Sequence, residues 1–280
     1  MKQTIIVVFA FLFINGLAAQ NFQGVATYKT HRKLDIKLDS TQMKTEMHQR
    51  MMDMLKKQFE KTYILTFTKE SSLYKEDEQL EAPQPAGVQM VFVSTDGSDI
   101  LYKNMKENRF SSQNEVFGKI FLIKDSLKTL DWKLENETKN IGNYTCYKAT
   151  IKREIEVVES GISVNGDKDL EANEGEEPKM REITITAWYT PQIPVNNGPE
   201  RYQGLPGLIL EVNDGQQTII CSKVVLNPED KVTIKEPEKG TVLNQEKFET
   251  IVNKRMREEQ ENYQHDRGGD GERIEIRIGG

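Results

Sequence analysis

Cysteine, histidine, methionine and clustered acids are the side chains here whose chemistry would announce itself through spacing. Cys146 and Cys221 form an even pair far apart in sequence and lack a Cys-x-x-Cys spacing. In an oxidising compartment such a pair is expected as a disulfide worth about 4 kcal/mol through loop closure; two separately buried thiols are the alternative. Neither arrangement is catalytic. His31, His48 and His265 are the only histidines, and none stands at ligand spacing from another, which argues against a zinc site. Met43, Met47, His48, Met51 and Met54 offer thioether and imidazole to a soft metal. Their three- and four-residue spacing is already that of a packed helix face, so no metal is expected. The acidic run Asn165 to Glu171 alternates oxygen ligands but lacks the glycine of a calcium loop at its sixth position; it reads as solvated. The sequence has no Gly-x-Ser-x-Gly elbow and no phosphate loop. No catalytic residue and no cofactor are therefore assigned.

The residues that could form a binding edge are Trp188, Tyr189, Tyr202, Pro206 and Gly207. Surface aromatics beside a rigid turn make a contact surface. Adjacent Trp188 and Tyr189 could instead pack on opposite faces of one strand, with the glycines serving turn geometry alone. Pro206-Gly207 supplies the pair a type II turn requires.

These residues must be positioned by a polar chain of 280 residues, 36% hydrophobic and 29% charged, with net charge −6. Met1 to Gln20 combines a basic start, the apolar run Ile5 to Ile14 and small residues, which predicts a signal peptide cut after Ala18 or Ala19. About ten apolar residues fall short of the roughly twenty that cross a bilayer, so no transmembrane anchor is expected after cleavage. Loss of Lys2 takes the mature charge to −7. An acidic chain without a basic patch is not expected to bind nucleic acid.

Periodicity supplies the elements. Residues 22–33 predict an opening strand, and a helix over 40–60 carries Met43, Met47, Met51, Met54, Leu55 and Phe59 on one face. Short strands are expected at 63–68, 88–93, 100–102, 116–123 and 130–135, with a turn at Asp96-Gly97. Alternation is cleanest at 147–157 and 181–189, which flank a long acidic loop at 159–180. Strands at 208–212 and 218–226 are joined at Asp214-Gly215, and Asn244 caps a helix bearing Phe248, Ile251, Val252 and Met256. The composition of 263–280 predicts a disordered tail. Ile274, Ile276 and Ile278 in it alternate as a strand added to a partner's sheet would.

Trp188-Tyr189-Thr190-Pro191, Gly198-Pro199 and Gly204-Leu205-Pro206-Gly207-Leu208-Ile209 occur in order within 187–212. This segment resembles the GLPGLI family, secreted proteins of the Bacteroidetes named for that hexapeptide. Where family members often place an aromatic soon after the Gly-Pro step, this chain has Glu200-Arg201 and delays it to Tyr202. The family brings no established activity. The segment is more loosely similar to periplasmic lipoprotein-carrier half-barrels.

The resulting expectation is an α+β fold. One domain, residues 20–262, holds a curved antiparallel half-barrel-like sheet covered by one or two helices. The expected role is that of a non-enzymatic protein exported to the periplasm or cell surface of a Gram-negative bacterium. It would bind an outer-membrane or envelope protein of a transport or assembly system, or a lipid-like ligand. A secreted hydrolase using a carboxylate pair is the alternative.

Overall fold

Alternating buried and exposed positions run through most strands, so each presents one dry face and the strands combine into a single wide sheet. The computed structural model describes residues 22–33, 60–77, 99–156, 161–164, 180–265 and 274–277. The expected signal peptide, the helix over 40–60 with its methionines, the strand at 88–93, the Asp96-Gly97 turn and the acidic run 165–171 lie outside these residues.

In chain order the strands are β1 (Gln23–Arg32), β2 (Thr62–Thr68), β3 (Ser71–Glu76), β4 (Ile100–Asn104), β5 (Arg109–Val116), β6 (Lys119–Ser126) and β7 (Lys133–Ile141). They continue as β8 (Tyr144–Glu156), β9 (Gly161–Val164), β10 (Met180–Thr190), β11 (Leu208–Asn213), β12 (Gln217–Leu226) and β13 (Thr241–Leu243). The helix α1 (Gln245–His265) and the strand β14 (Ile274–Arg277) follow. Twelve strands form one open sheet in the order β13-β6-β5-β4-β3-β2-β1-β12-β11-β10-β8-β7. β1 sits at its middle, paired with β2 on one side and with the distant β12 on the other.

The fold is therefore mostly β. The sheet is mixed, not purely antiparallel, because β13 runs parallel to β6. The helical content expected of an α+β protein reduces, among the described residues, to α1. Its start is the expected one: Asn244 Oδ1 accepts from Lys247 N at 3.1 Å. Phe248 and Val252 are buried, and the Phe248 ring meets Phe121 of β6 edge to face at 5.6 Å.

Three local expectations are corrected. The strand at 116–123 is a hairpin tip, with Phe117 and Gly118 turning β5 into β6 at φ values of 51° and 66°. A phenylalanine in the left-handed region is rare, which is why the turn does not announce itself. The expected strand at 130–135 starts only at Lys133. The tail is not wholly irregular, since Ile274–Arg277 pairs antiparallel with Gly161–Val164 of the same chain.

Two apolar clusters form. The larger spans β1, β2, β3, β4, β5, β6 and β12 and takes in Ile193 and Val195 from the segment 191–207. The smaller gathers Ala149, Ile151, Ile185, Ala187, Tyr189, Leu205, Ile209 and Val212, with Trp132 and Tyr202 packed against it. β11 belongs to both. Neighbouring Leu208 and Ile209 alternate into different clusters, and the register shift opposite Trp188/Tyr189 sends Leu210 and Val212, two apart, into different clusters as well.

Candidate functional site

The five residues expected to form a binding edge do not converge. Trp188 and Tyr189 leave β10 on opposite faces. Lys139 Nζ lies 4.5 Å from the centre of the Trp188 ring and bonds both Glu211 carboxylate oxygens at 2.8 Å, so the ring is held in a cation–π and ion-pair arrangement. Tyr189 is buried in the smaller cluster, 6.1 Å from Tyr147; burial and neighbouring Tyr147 raise its phenol pKa. Tyr202 packs 6.4 Å from Trp132, whose indole N–H donates to the Gln203 carbonyl at 2.7 Å.

Pro206 is exposed, and the turn around it is tighter than type II. Gly207 N donates to Leu205 O at 2.8 Å, while Leu208 N reaches Ile193 O at 3.0 Å. Gly207 lies flat on the Thr190–Pro191 peptide: a Cβ there would fall on the Thr190 carbonyl and within 2.8 Å of Pro191 N. The hexapeptide thus has a packing logic. Leu205 and Ile209 fill one cluster, Leu208 the other, and the glycine permits backbone-on-backbone contact.

The same segment is fastened from below by a residue that sequence reasoning passed over. Lys103 of β4 is fully buried and donates to the carbonyls of Gly198 at 2.8 Å and Glu200 at 2.7 Å. Burial pushes its amine down to about 7, opposed by the Glu200 charge. Leu101 and Lys103, two apart on one strand face, were the available signal. Gly198 is equally constrained, since a Cβ would lie 2.8 Å from Ile209 Cβ. Ile209 N donates to Asn197 O at 2.9 Å, and Tyr28 OH donates to Ile209 O at 2.7 Å.

Around Lys103 the sheet is polar. Tyr63 and Tyr74 stack with ring centres 4.8 Å apart and 7° between planes, and Tyr28 meets Tyr74 edge-on at 6.3 Å. The Tyr74 hydroxyl, the Ser72 hydroxyl and the Asn197 amide nitrogen are buried without a hydrogen-bond partner among the described residues. Glu200, at φ 46°, accepts from Gln217 Nε2 at 3.4 Å. Arg201 donates to Gln245 Oε1 at 2.9 Å, with its guanidinium 4.8 Å from the Phe110 ring centre. Burial raises the Tyr63 phenol pKa, and the charges of Glu76, Glu200 and Asp99 raise it further. Burial also raises Asp99, against the Glu115 N–H that bonds its Oδ2.

The expected disulfide is not formed in this structure. Cys146 and Cys221 are free, buried thiols whose hydrogens point to the carbonyls of Tyr144 and Lys223. β11 and β10 stand between their strands. Both side chains nevertheless lie in the larger apolar cluster, and Cys146 acts electrostatically on Cys221. Burial pushes both thiols up to about 11. Of the histidines, His31 is exposed, with Nδ1 3.4 Å from Glu60. Among the described residues no three His, Cys, Asp or Glu side chains are grouped to hold a metal.

Over residues 132–211 the chain matches the family model described as a protein of unknown function (Porph_ging). That stretch includes β8, β10 and the hexapeptide. Among solved structures the chain is similar to PNGF-II in its C2 crystal form, with 16% identity, TM-score 0.46, and coverage of 83% of this chain and 33% of that one. The P21 form gives 15% identity and TM-score 0.47, covering 84% and 33%. The chain thus spans about a third of the length of PNGF-II. No curated protein matches the sequence.

Proposed function

We propose that this chain is a non-enzymatic GLPGLI-type protein, exported to the periplasm or cell surface of a Gram-negative bacterium of the Bacteroidetes kind. It binds a protein partner belonging to an outer-membrane transport or assembly system. The observation supporting a binding role is at the β7 edge of the sheet. Leu134 and Tyr147 are diagonal neighbours across β7 and β8 and remain 56% and 39% exposed. Exposed apolar side chains placed together favour a contact surface, whereas single ones are ordinary. The hexapeptide segment serves this reading as scaffold, because it anchors β10 and β11 next to that edge.

The test is affinity purification of the tagged protein from gently solubilised envelopes, with co-purifying proteins and lipids identified. A stoichiometric protein lost on Leu134→Ser or Tyr147→Ser supports the reading. A bound lipid with no protein replaces the partner by a hydrophobic ligand, and a bare monomer removes the reading. The hydrolase alternative draws on Asp99, a carboxyl that burial raises beside the Tyr63 and Glu200 cluster. Turnover of an ester or glycoside that disappears in Asp99→Asn would favour it.

A further inference from the structure

Residues 197–201 are held to β4 by one buried side chain, Lys103, whose Nζ donates to the carbonyls of Gly198 at 2.8 Å and Glu200 at 2.7 Å. Asn197, Gly198 and Pro199 are buried, while Glu200 keeps a left-handed backbone at φ 46°. A non-glycine residue stays in that region only where its surroundings enforce it. The segment is thus fastened in a conformation from which it would relax on release.

The fastening suits a neutral amine. Such an amine has two N–H groups, and Lys103 gives them to two main-chain carbonyls, neither of them a carboxylate. Across the ladders stand Ser72 of β3 and Phe110 of β5. The Arg201 guanidinium, 4.8 Å from the Phe110 ring centre, adds a second positive charge nearby. Tyr28, Tyr63 and Tyr74 are phenols that burial keeps neutral. The Glu200 charge favours the ammonium through space, but burial outweighs it and brings the amine down to about 7.

Opening of the segment hydrates the ammonium and relaxes Glu200. It also brings water to the Ser72 hydroxyl and the Asn197 amide nitrogen, which are buried without a partner among the described residues. The movement is confined at both ends. Ile209 N donates to Asn197 O at 2.9 Å, and the Trp132 indole N–H donates to Gln203 O at 2.7 Å.

We propose that Lys103 is a proton-operated latch: the neutral amine holds residues 198–202 down on the sheet, and a proton on it favours their local opening, in which the ammonium reaches water. This goes beyond the binding reading above and stands or falls without it.

The test is hydrogen exchange of the full-length protein at pH 6, 7 and 8, read as protection relative to the intrinsic rate at each pH. The reporting amides are Tyr202 and Gly204, which donate to Pro199 O at 3.1 Å and Asn196 O at 3.2 Å. With the amine at about 7 when held and 10.5 when released, opening should rise roughly fivefold from pH 8 to pH 7. From pH 7 to pH 6 it should rise less than about twofold, because the held amine is then protonated as well. Amides in the β8–β10 ladder should remain at least about tenfold better protected at each pH, since they open only with the whole fold. Equal protection in both places overturns the latch, as does protection of Tyr202 and Gly204 that does not change between pH 7 and 8. Lys103→Met should abolish the pH dependence; its persistence assigns the effect to another group and overturns the proposal. Should that variant fail to fold, the Lys103 Cε resonance of the wild type decides. A midpoint near 7 together with the stated exchange supports the latch, and one near 10.5 in the folded protein overturns it.

Discussion

Lys103 and Glu200 meet through the main chain: the lysine Nζ donates to the Glu200 carbonyl at 2.7 Å, and the glutamate carboxylate acts on that amine only through space. One buried side chain therefore holds down the segment that carries the sequence motif. Lys103→Met should cost about 2 kcal/mol, because the carbonyls of Gly198 and Glu200 lose their donor while an awkward buried amine is removed. Its pH signature is distinctive. The folded amine titrates near 7 and the unfolded one near 10.5, so the unfolded chain binds more protons between those values. Stability contributed by this group rises with pH across that window. Urea midpoints between pH 7 and 8, below the range where the raised thiols and phenols act, should climb in wild type and flatten in Lys103→Met.

Glu236 supplies the opposite case. Burial opposes its ionisation, but hydrogen bonds from Arg109 at 2.9 Å and Ser111 at 2.5 Å, with Lys124 at 3.3 Å, outweigh it and hold the carboxyl near 2. The stability it contributes is present above the unfolded value of 4.5 and disappears as pH falls toward 2. Glu236→Gln should lower stability at pH 7 by roughly 2 kcal/mol and remove part of the acid transition, read by circular dichroism on titration.

Glycine substitutions should separate steric contact from backbone strain. Gly207→Ala drives a methyl into the Thr190 carbonyl and should cost about 3 kcal/mol or prevent folding. Gly215→Ala meets no atom but must hold φ 95°, which costs about 1 kcal/mol. Equal losses in urea unfolding would contradict the backbone contact.

Phe117 occupies a two-residue turn that favours Asn-Gly, at φ 51° and 40% exposed. Phe117→Asn should raise stability by about 1 kcal/mol. A fall in the thermal midpoint would mean that the ring packs more than its exposure indicates.

The two thiols should both alkylate with a maleimide, slowly in the folded protein and fast in urea, with the same mass before and after reductant. A two-proton mass difference on reduction would restore the disulfide.

Much of the strand layout was legible because its alternation is strong. The strands at 147–157, 181–189, 208–212 and 218–226 appear within a few residues of those bounds, and Asn244 caps its helix. β3 and β5 were not read, since Ser71, Ser72, Ser111, Ser112, Gln113 and Asn114 do not look like strand interior. Several are nonetheless buried, and Ser112 satisfies its hydroxyl on Asn114 at 2.6 Å. The candidate site was less legible still. The motif contains Trp188 and Tyr202, whereas the charged and orphaned groups beneath it come from β2, β3 and β4, 84 to 140 residues upstream. Their convergence depends on strand order, which local pattern does not encode.

That order also governs when the molecule can complete itself during synthesis. Gly24 pairs with Leu226, so a nascent chain lacking its last fifth or so leaves β1 with one bare edge at the centre of the sheet. Closing a loop of two hundred residues is slow compared with making neighbouring hairpins. Until that final hairpin emerges, the strands on the β2 side of β1 and those on the β11 side cannot join into one sheet.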